Sequence, residues 1–227
     1  MLFEYDVSGG GQVAERLLGD FKGAVQSDAH KGYNRLSGVL RLGCWMHVRR
    51  KYHEAFTAAK KGNGLASDAL DYIKELYRLE KLYKEQQLSN DERKVARQRD
   101  QTKLLDDFKL WAEGNYSKVP PSSSIGVATK YQLDEWERLT NYLKDGRYEI
   151  DNGEVERTIR KFAIGRNNWL FCDTPEGAHA SSLLYSLMIT AKLNKKDPYQ
   201  AMVNILTELP TAQTIEDFEK LTEYLLK

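Results

Sequence analysis

The sequence predicts an α/β fold in which a large helical insertion interrupts a strand-and-helix core and a helical segment closes the chain. Three observations carry this. Residues 1–62 alternate short runs of strand length with amphipathic helical runs. Leu65 to Trp111 is highly charged and helical throughout. Ala178 to Leu226 divides into three helical runs separated by turn residues.

Taken in order, Met1 to Asp6 reads as an extended strand, and Ser8-Gly9-Gly10-Gly11 breaks it. Gln12 to Phe21 reads as a helix with Val13, Leu17, Leu18 and Phe21 on one face, ended by Gly23. An extended run from Val25 to Asp28 follows, then turn residues from His30 to Tyr33. Val39 to Trp45 reads as another strand, running into a helix from Met46 to Lys60 that carries His47, Arg49, Arg50 and Lys51 near its start. Further on, Ile73, Leu76, Leu79 (or Glu80) and Tyr83 mark an amphipathic stripe. Ser89-Asn90-Asp91-Glu92 is a capping box opening a second helix, whose apolar face is Leu104, Leu105, Phe108 and Trp111. Two such helices make an antiparallel hairpin, read as a structural insertion in preference to a partner-binding coiled coil.

Lys118 to Ser124 is a break, and helix resumes from about Ile125 to Lys144 with Leu133, Trp136, Leu139, Tyr142 and Leu143 inward. Asp145-Gly146-Arg147 punctuates it. A helical run from Ile150 to Arg160 then leads into a basic, aromatic stretch, Lys161 to Phe171. Thr174 to Gly177 is a turn before an apolar helix from Ala178 to Leu193. Asp197-Pro198 caps and opens another, ending near Leu209-Pro210, and Thr214 to Leu226 is a last amphipathic helix. The organisation expected is residues 1–62, the first part of the core; 63–146, the helical insertion; 147–172, a core helix with its basic segment; and 173–227, a helical C-terminal region.

The 227 residues suffice for one large domain or two small ones, and 41% hydrophobic content allows a packed core. The longest apolar runs, such as Ser182 to Ile189, are too short to span a bilayer, so no membrane partner is expected. Met1 to Glu4 has neither the basic start nor the apolar stretch of a signal peptide. Two cysteines, Cys44 and Cys172, suit a reducing compartment, and a cytoplasmic location is expected. Net charge is only +1, but eight Lys and Arg face a single Glu between Lys31 and Lys61. Such a segment suits a polyanion; a solvated face would look the same.

The candidate chemistry lies in two distant carboxylates, Asp28 at the end of an extended run and Glu156 within a helical one. Metal-dependent phosphoryl-transfer sites are built this way, from oxygen ligands for Mg²⁺ or Mn²⁺. On the Glu156 helix, Asn152, Glu156 and Arg160 form a polar stripe beside an apolar one of Val155, Ile159 and Phe162, which is expected to pack on a sheet. Taken singly, Glu156 reads as a partner of Arg157 or Arg160, and Asp28 as a turn former. Cys44 and His47 lack a second ligand pair, which excludes a structural zinc site. His47 is placed to touch phosphate or a catalytic group, and a buried structural histidine fits its spacing equally well.

Several stretches together resemble one family. They are Phe3 to Asp6, Gln26 to Asn34, Cys44 to Lys51, Asp145-Gly146-Arg147 and, most specific, Ile150 to Phe171. The likeness continues through Tyr185-Ser186-Leu187 and Ala191 to Asn194 to Asp197-Pro198-Tyr199. The chain resembles the C-terminal two thirds of bacterial transposases of the insertion-sequence-sixty-six family. The resemblance implies an RNase H-like core, here incomplete, and a DDE triad of acids holding two Mg²⁺ (or Mn²⁺) ions. It makes Asp28 the second Asp and Glu156 the Glu. It implies DNA strand cleavage and transfer at transposon ends, with transposon-end DNA as partner and a nucleoid-associated bacterial location. Cys44 and His47 match the family's Cys-x-x-His beside the active site. His47, Arg49, Arg50, Arg160, Arg166 and Trp169 are the DNA-contact candidates, and Trp169 as a core residue is the plain alternative.

The first acid of that triad has no counterpart here. In an RNase H-like fold it lies on the first strand, with two more strands and a helix before the second Asp. Only 21 residues separate Asp6 from Asp28, and the helix takes about ten of them. Asp6 is therefore expected to end the third strand. A chain without the first acid is expected to be inactive by itself, a portion of a transposase. The alternative is a catalytically silent relic that binds DNA or associates with itself or other transposase chains through an exposed sheet edge or the helical hairpin.

Overall fold

The computed structural model describes residues 1–8, 10–59, 64–169 and 174–226, with only the backbone helix described at 161 and 165–169. Helix predominates, and one two-stranded parallel sheet is formed among the described residues. The α/β expectation therefore holds in its coarse form. Two compact units divide the chain, Gly10–Gly153 and the pair Met1–Gly9 with Glu154–Lys227. Among the described residues no helix is long and apolar enough to cross a membrane.

The Gly10–Gly153 unit opens with α1 (Gly11–Leu18), β1 (Ala24–Gln26), β2 (Leu40–Leu42) and α2 (Trp45–Ala58). The strands pair Ala24 with Leu40, Val25 with Arg41 and Gln26 with Leu42. A single 3₁₀ turn, Lys31–Arg35, occupies the parallel crossover. Then come α3 (Leu65–Glu85), α4 (Asn90–Asp100), α5 (Thr102–Tyr116), α6 (Ser124–Asp134) and α7 (Trp136–Thr140). The predicted stripe of α3 is buried: Ile73, Leu76, Leu79, Glu80 and Tyr83 all face inward. The capping box at Ser89 is present in full, with the Ser89 hydroxyl bonded to the Glu92 amide and the Glu92 carboxylate to the Ser89 amide.

Two expected helices are each divided. The run after Ser89 breaks at Gln101, whose buried amide donates to Glu80 at 2.8 Å and accepts the Tyr142 hydroxyl. The run from Ile125 breaks at Glu135, which ends α6 and pairs with Arg138 at 2.9 Å. At Gln101 a polar side chain satisfied by tertiary partners interrupts a continuous apolar periodicity, whereas Glu135 is met locally by Arg138 three residues on.

One core joins α2 to the insertion. Trp45, Val48 and Tyr52 of α2 pack with Ile73 and Leu76 of α3, Phe108 of α5 and Leu139 of α7. Phe108 stacks on Trp45 at 5.9 Å and on Tyr72 at 4.7 Å, measured between ring centroids. The Trp45 indole donates to the Leu139 carbonyl at 2.9 Å, so this large aromatic is buried without an orphaned donor. Gly43 carries the chain past α7: a Cβ there would lie 3.0 Å from the Leu139 amide nitrogen.

In the other unit, α8 (Gly153–Trp169) is followed by α9 (Pro175–Leu193), α10 (Pro198–Glu208) and α11 (Ile215–Leu226). Thr174 and Asp197 cap α9 and α10, each followed by a proline in the first turn. Ala191, Ala201, Ile205, Leu221 and Leu225 form the small core of the last three helices.

Two expectations are corrected in this unit. Met1 to Asp6 forms no strand. Its backbone bonds to α9 instead: the Phe3 amide donates to Ser186 Oγ at 2.8 Å, and Thr190 Oγ1 donates to the Met1 carbonyl at 3.1 Å. Hydroxyls four residues apart on one helix face thus satisfy backbone groups that a strand partner would otherwise take. On α8, Val155 and Ile159 are 43% and 46% exposed, so the predicted apolar stripe does not pack as expected. The helix turns Thr158 inward, and Phe162 packs against Phe3 and Tyr185 at centroid distances of 5.9 and 4.7 Å.

Candidate metal and nucleic-acid site

Asp28 stands two residues beyond β1 and is exposed. Ser27 before it is buried; its hydroxyl donates to the Asp28 carbonyl at 2.9 Å and accepts from Arg41 at 2.9 Å. Asp28 Oδ1 accepts the His30 amide at 3.1 Å, and His30 Nδ1 accepts the Gly32 amide at 3.2 Å. The turn-former role is thus realised, and it holds the carboxylate at a fixed place. Arg41 lies close by, its pKa lowered by burial and by the neighbouring Arg138.

The strand end is also tied to a segment far along the chain. Gln26 Nε2 donates to the Gly43 carbonyl at 3.2 Å and to the Glu149 carbonyl at 2.8 Å. The Trp45 amide donates to the Ile150 carbonyl at 3.3 Å. The Asn152 amide points at the Cys44 sulfur, as do the amides of Met46 and His47 in the first turn of α2. Burial pushes the Cys44 thiol up despite these three donors. The end of β1, the start of α2 and residues 149–152 therefore form one hydrogen-bonded junction. Glu156 follows four residues after Asn152, on α8.

On α2 one face supplies the core and the other faces water. His47 is 8% exposed, which fits the buried-histidine alternative, whereas Arg49 and Arg50 are exposed and make no ion pair among the described residues. Arg160 is exposed on α8. The side chains of Arg166 and Trp169 lie outside the described residues, as does Cys172. Asp28, His47, Arg49 and Arg50 thus share the Gly10–Gly153 unit, and Glu156 and Arg160 belong to the other.

Sequence reasoning gave no role to Gln26, Tyr77, Glu149 or Asp151. Asp151 was legible: Asp-Asn-Gly before a helical run is a cap signature, and its Oδ1 accepts the Gly153 amide at 2.8 Å. Gln26, Tyr77 and Glu149 have no local signal, because their partners are 17 to 123 residues away.

The model of the Transposase IS66 family matches residues 1–180. Three similar proteins are from Sinorhizobium fredii. Uncharacterized protein y4hP is 28% identical over 216 residues, covering 88% of this chain and 39% of that protein. Uncharacterized protein y4qI is 28% identical over 236 residues, covering 99% and 43%. Uncharacterized protein y4jD is 30% identical over 210 residues, covering 88% and 40%. The chain spans about two fifths of the length of the curated relatives it matches. No solved structure matches it. With the family model covering the Asp28 turn, the α2 junction and the Glu156 helix, the chain belongs to the IS66 transposase family.

Proposed function

We propose that this chain is a portion of a DDE transposase that cleaves and joins DNA strands at transposon ends, with Asp28 as the second acid and Glu156 as the third. The observation that carries the reading is the bond from Gln26 to the Glu149 carbonyl at 2.8 Å. It ties the strand that leads to Asp28 to the segment from which the Glu156 helix grows. In this reading β1 and β2 belong to an RNase H-like core, and the first acid comes from outside these 227 residues. The donors fit the ions: both are carboxylates, the hard oxygen ligands that Mg²⁺ and Mn²⁺ take, and Asp28 is open to solvent. When bound, such ions activate the attacking oxygen and stabilise the leaving 3′-oxygen. Arg49, Arg50 and Arg160 hold the phosphate backbone, with Arg166 and Trp169 in the segment that follows. His47 supports the start of α2.

A second reading is a silent DNA-binding or self-associating relic. It is favoured by the small sheet, which has two strands among the described residues. Free Mn²⁺, followed by electron paramagnetic resonance, separates the two. The transposase reading expects Mn²⁺ binding weakened about tenfold or more in both Asp28→Asn and Glu156→Gln. Because the first acid lies outside these residues, it expects this chain alone to bind end-containing DNA without nicking it. Retardation of that DNA without Mn²⁺ binding selects the relic. No retardation at low salt rejects both.

A further inference from the structure

The segment from Asp145 to Gly153 is fastened at successive points to the helical hairpin that precedes it. Arg97 of α4 donates to the Asp145 carbonyl at 3.1 Å. Gly146 lies against the first residue of α4, where a Cβ would come within 1.8 Å of the Asn90 carbonyl oxygen. Glu149 pairs with Lys84 of α3 at 2.8 Å and with Arg93 of α4 at 3.1 Å. The Tyr77 hydroxyl of α3 donates to Asp151 Oδ2 at 2.5 Å. The other oxygen of that carboxylate accepts the Gly153 amide at 2.8 Å, at the first residue of α8.

We infer that the hairpin is a brace for the start of the Glu156 helix and that Tyr77, acting through Asp151, is a positioning residue for the Glu156 carboxylate. The inference rests on the reading of Glu156 as a metal ligand. A helix start has amides without intrahelical partners, and an aspartate that caps them fixes where the helix begins only if its own rotamer is fixed. Tyr77 fixes it by engaging the second oxygen. Burial pushes the Tyr77 phenol up, and the Asp151 carboxylate adds to this, so the hydroxyl stays a donor at working pH. Glu156 lies three residues beyond Gly153, less than one turn along the same helix. A metal ligand loses affinity when its supporting groups leave it loose, so a brace this close has a chemical consequence. It also gives the long insertion a role beyond filling space. Its helices α3 and α4 hold the chain just before the acid that comes next in sequence.

The test uses the whole chain with Tyr77→Phe, Asp151→Ala and Asp151→Asn. Hydrogen exchange followed by mass spectrometry should show peptides covering Gly153 to Thr158 exchanging about fivefold faster in Tyr77→Phe, the effect of one hydrogen bond. The change should be larger in Asp151→Ala and smallest in Asp151→Asn, which keeps the acceptor for Gly153. Peptides of α4 should be unchanged in Tyr77→Phe. Mn²⁺ affinity should fall about three- to tenfold in Tyr77→Phe, with the melting temperature held within a few degrees. A merely structural hydroxyl would leave Mn²⁺ affinity unmoved. If Asp151→Ala does not fold, Tyr77→Phe, which lacks a single oxygen, carries the test. Unchanged exchange at Gly153 to Thr158 overturns the brace. Glu156-dependent Mn²⁺ binding that is equally tight in Tyr77→Phe overturns the positioning role. A wild-type chain without Glu156-dependent Mn²⁺ binding, but with the exchange response, removes the metal reading and leaves the brace standing.

Discussion

Arg97 has no exposed surface, and Glu80 meets it with two charge-assisted hydrogen bonds of 2.8 and 2.7 Å. The remaining guanidinium nitrogen donates to the carbonyls of Tyr142 and Asp145 at 3.1 Å each, and the group lies 4.9 Å from the Tyr142 ring centroid. Desolvating two charges is costly, so such a pair is retained only with every donor met. Arg97→Met leaves Glu80 buried without its counter-charge and should cost about 3–5 kcal/mol in urea unfolding. Adding Glu80→Leu should recover part of that loss. Glu149 carries a pH dependence. Burial alone would raise its carboxyl, but Lys84 and then Arg93 outweigh this and hold it below the usual value. Asp145 is likewise held down, to about 2, by Arg147. A carboxyl lowered by folding stabilises the fold fully above its unfolded value, about 4, and loses that contribution as pH falls through the folded value. The melting temperature should therefore drop as pH falls from about 5 towards 3. Glu149→Gln should start lower at pH 6 and show a shallower drop.

At the scale of elements, helix ends follow local chemistry, and the interruption at Gln101 follows distant partners. Ser89 and Asp197 each cap a helix through a side-chain oxygen, as their positions in the sequence predict, and Thr174, read from sequence as part of a turn, caps α9 in the same way. Ser89→Ala removes the acceptor for the Glu92 amide and should cost about 1 kcal/mol by denaturant titration. Glu92→Ala should cost less, because the Ser89 hydroxyl still caps the helix. The split at Gln101 has no such local marker, since its partners Glu80 and Tyr142 come from elsewhere in the fold. The first residues show the same limit. Met1 to Asp6 reads as an extended strand, but a strand needs a neighbour, and Ser186 and Thr190 of α9 supply the backbone partners instead.

At the scale of the whole molecule, charge distribution matters more than net charge. The sum is +1, yet the exposed face of α2 presents Arg49 and Arg50 without ion pairs among the described residues. Cations left unpaired at the surface are available to phosphates, and each contact releases a counterion. If both arginines touch the backbone, Arg49→Ala with Arg50→Ala should weaken binding to DNA of any sequence. It should also reduce the slope of log affinity against log salt by about 2, read by fluorescence anisotropy between 50 and 200 mM salt. A slope unchanged by the double substitution removes α2 from the DNA surface.

The sequence by itself determined the family, the helix caps at Ser89 and Asp197, the inward face of α3, and the run of turn and helix around Asp28 and Glu156. Each depends on residues within a turn or two of one another, where periodicity and capping chemistry act. Tertiary structure alone decided that Gln26 bonds to the Glu149 carbonyl, that Tyr77 holds Asp151, and that Val155 and Ile159 face outward. These depend on groups brought together across 74 to 123 residues, or on which side of a helix finds a neighbour to pack against. Local pattern shows that a polar group or apolar face needs a partner, and only the folded chain supplies it.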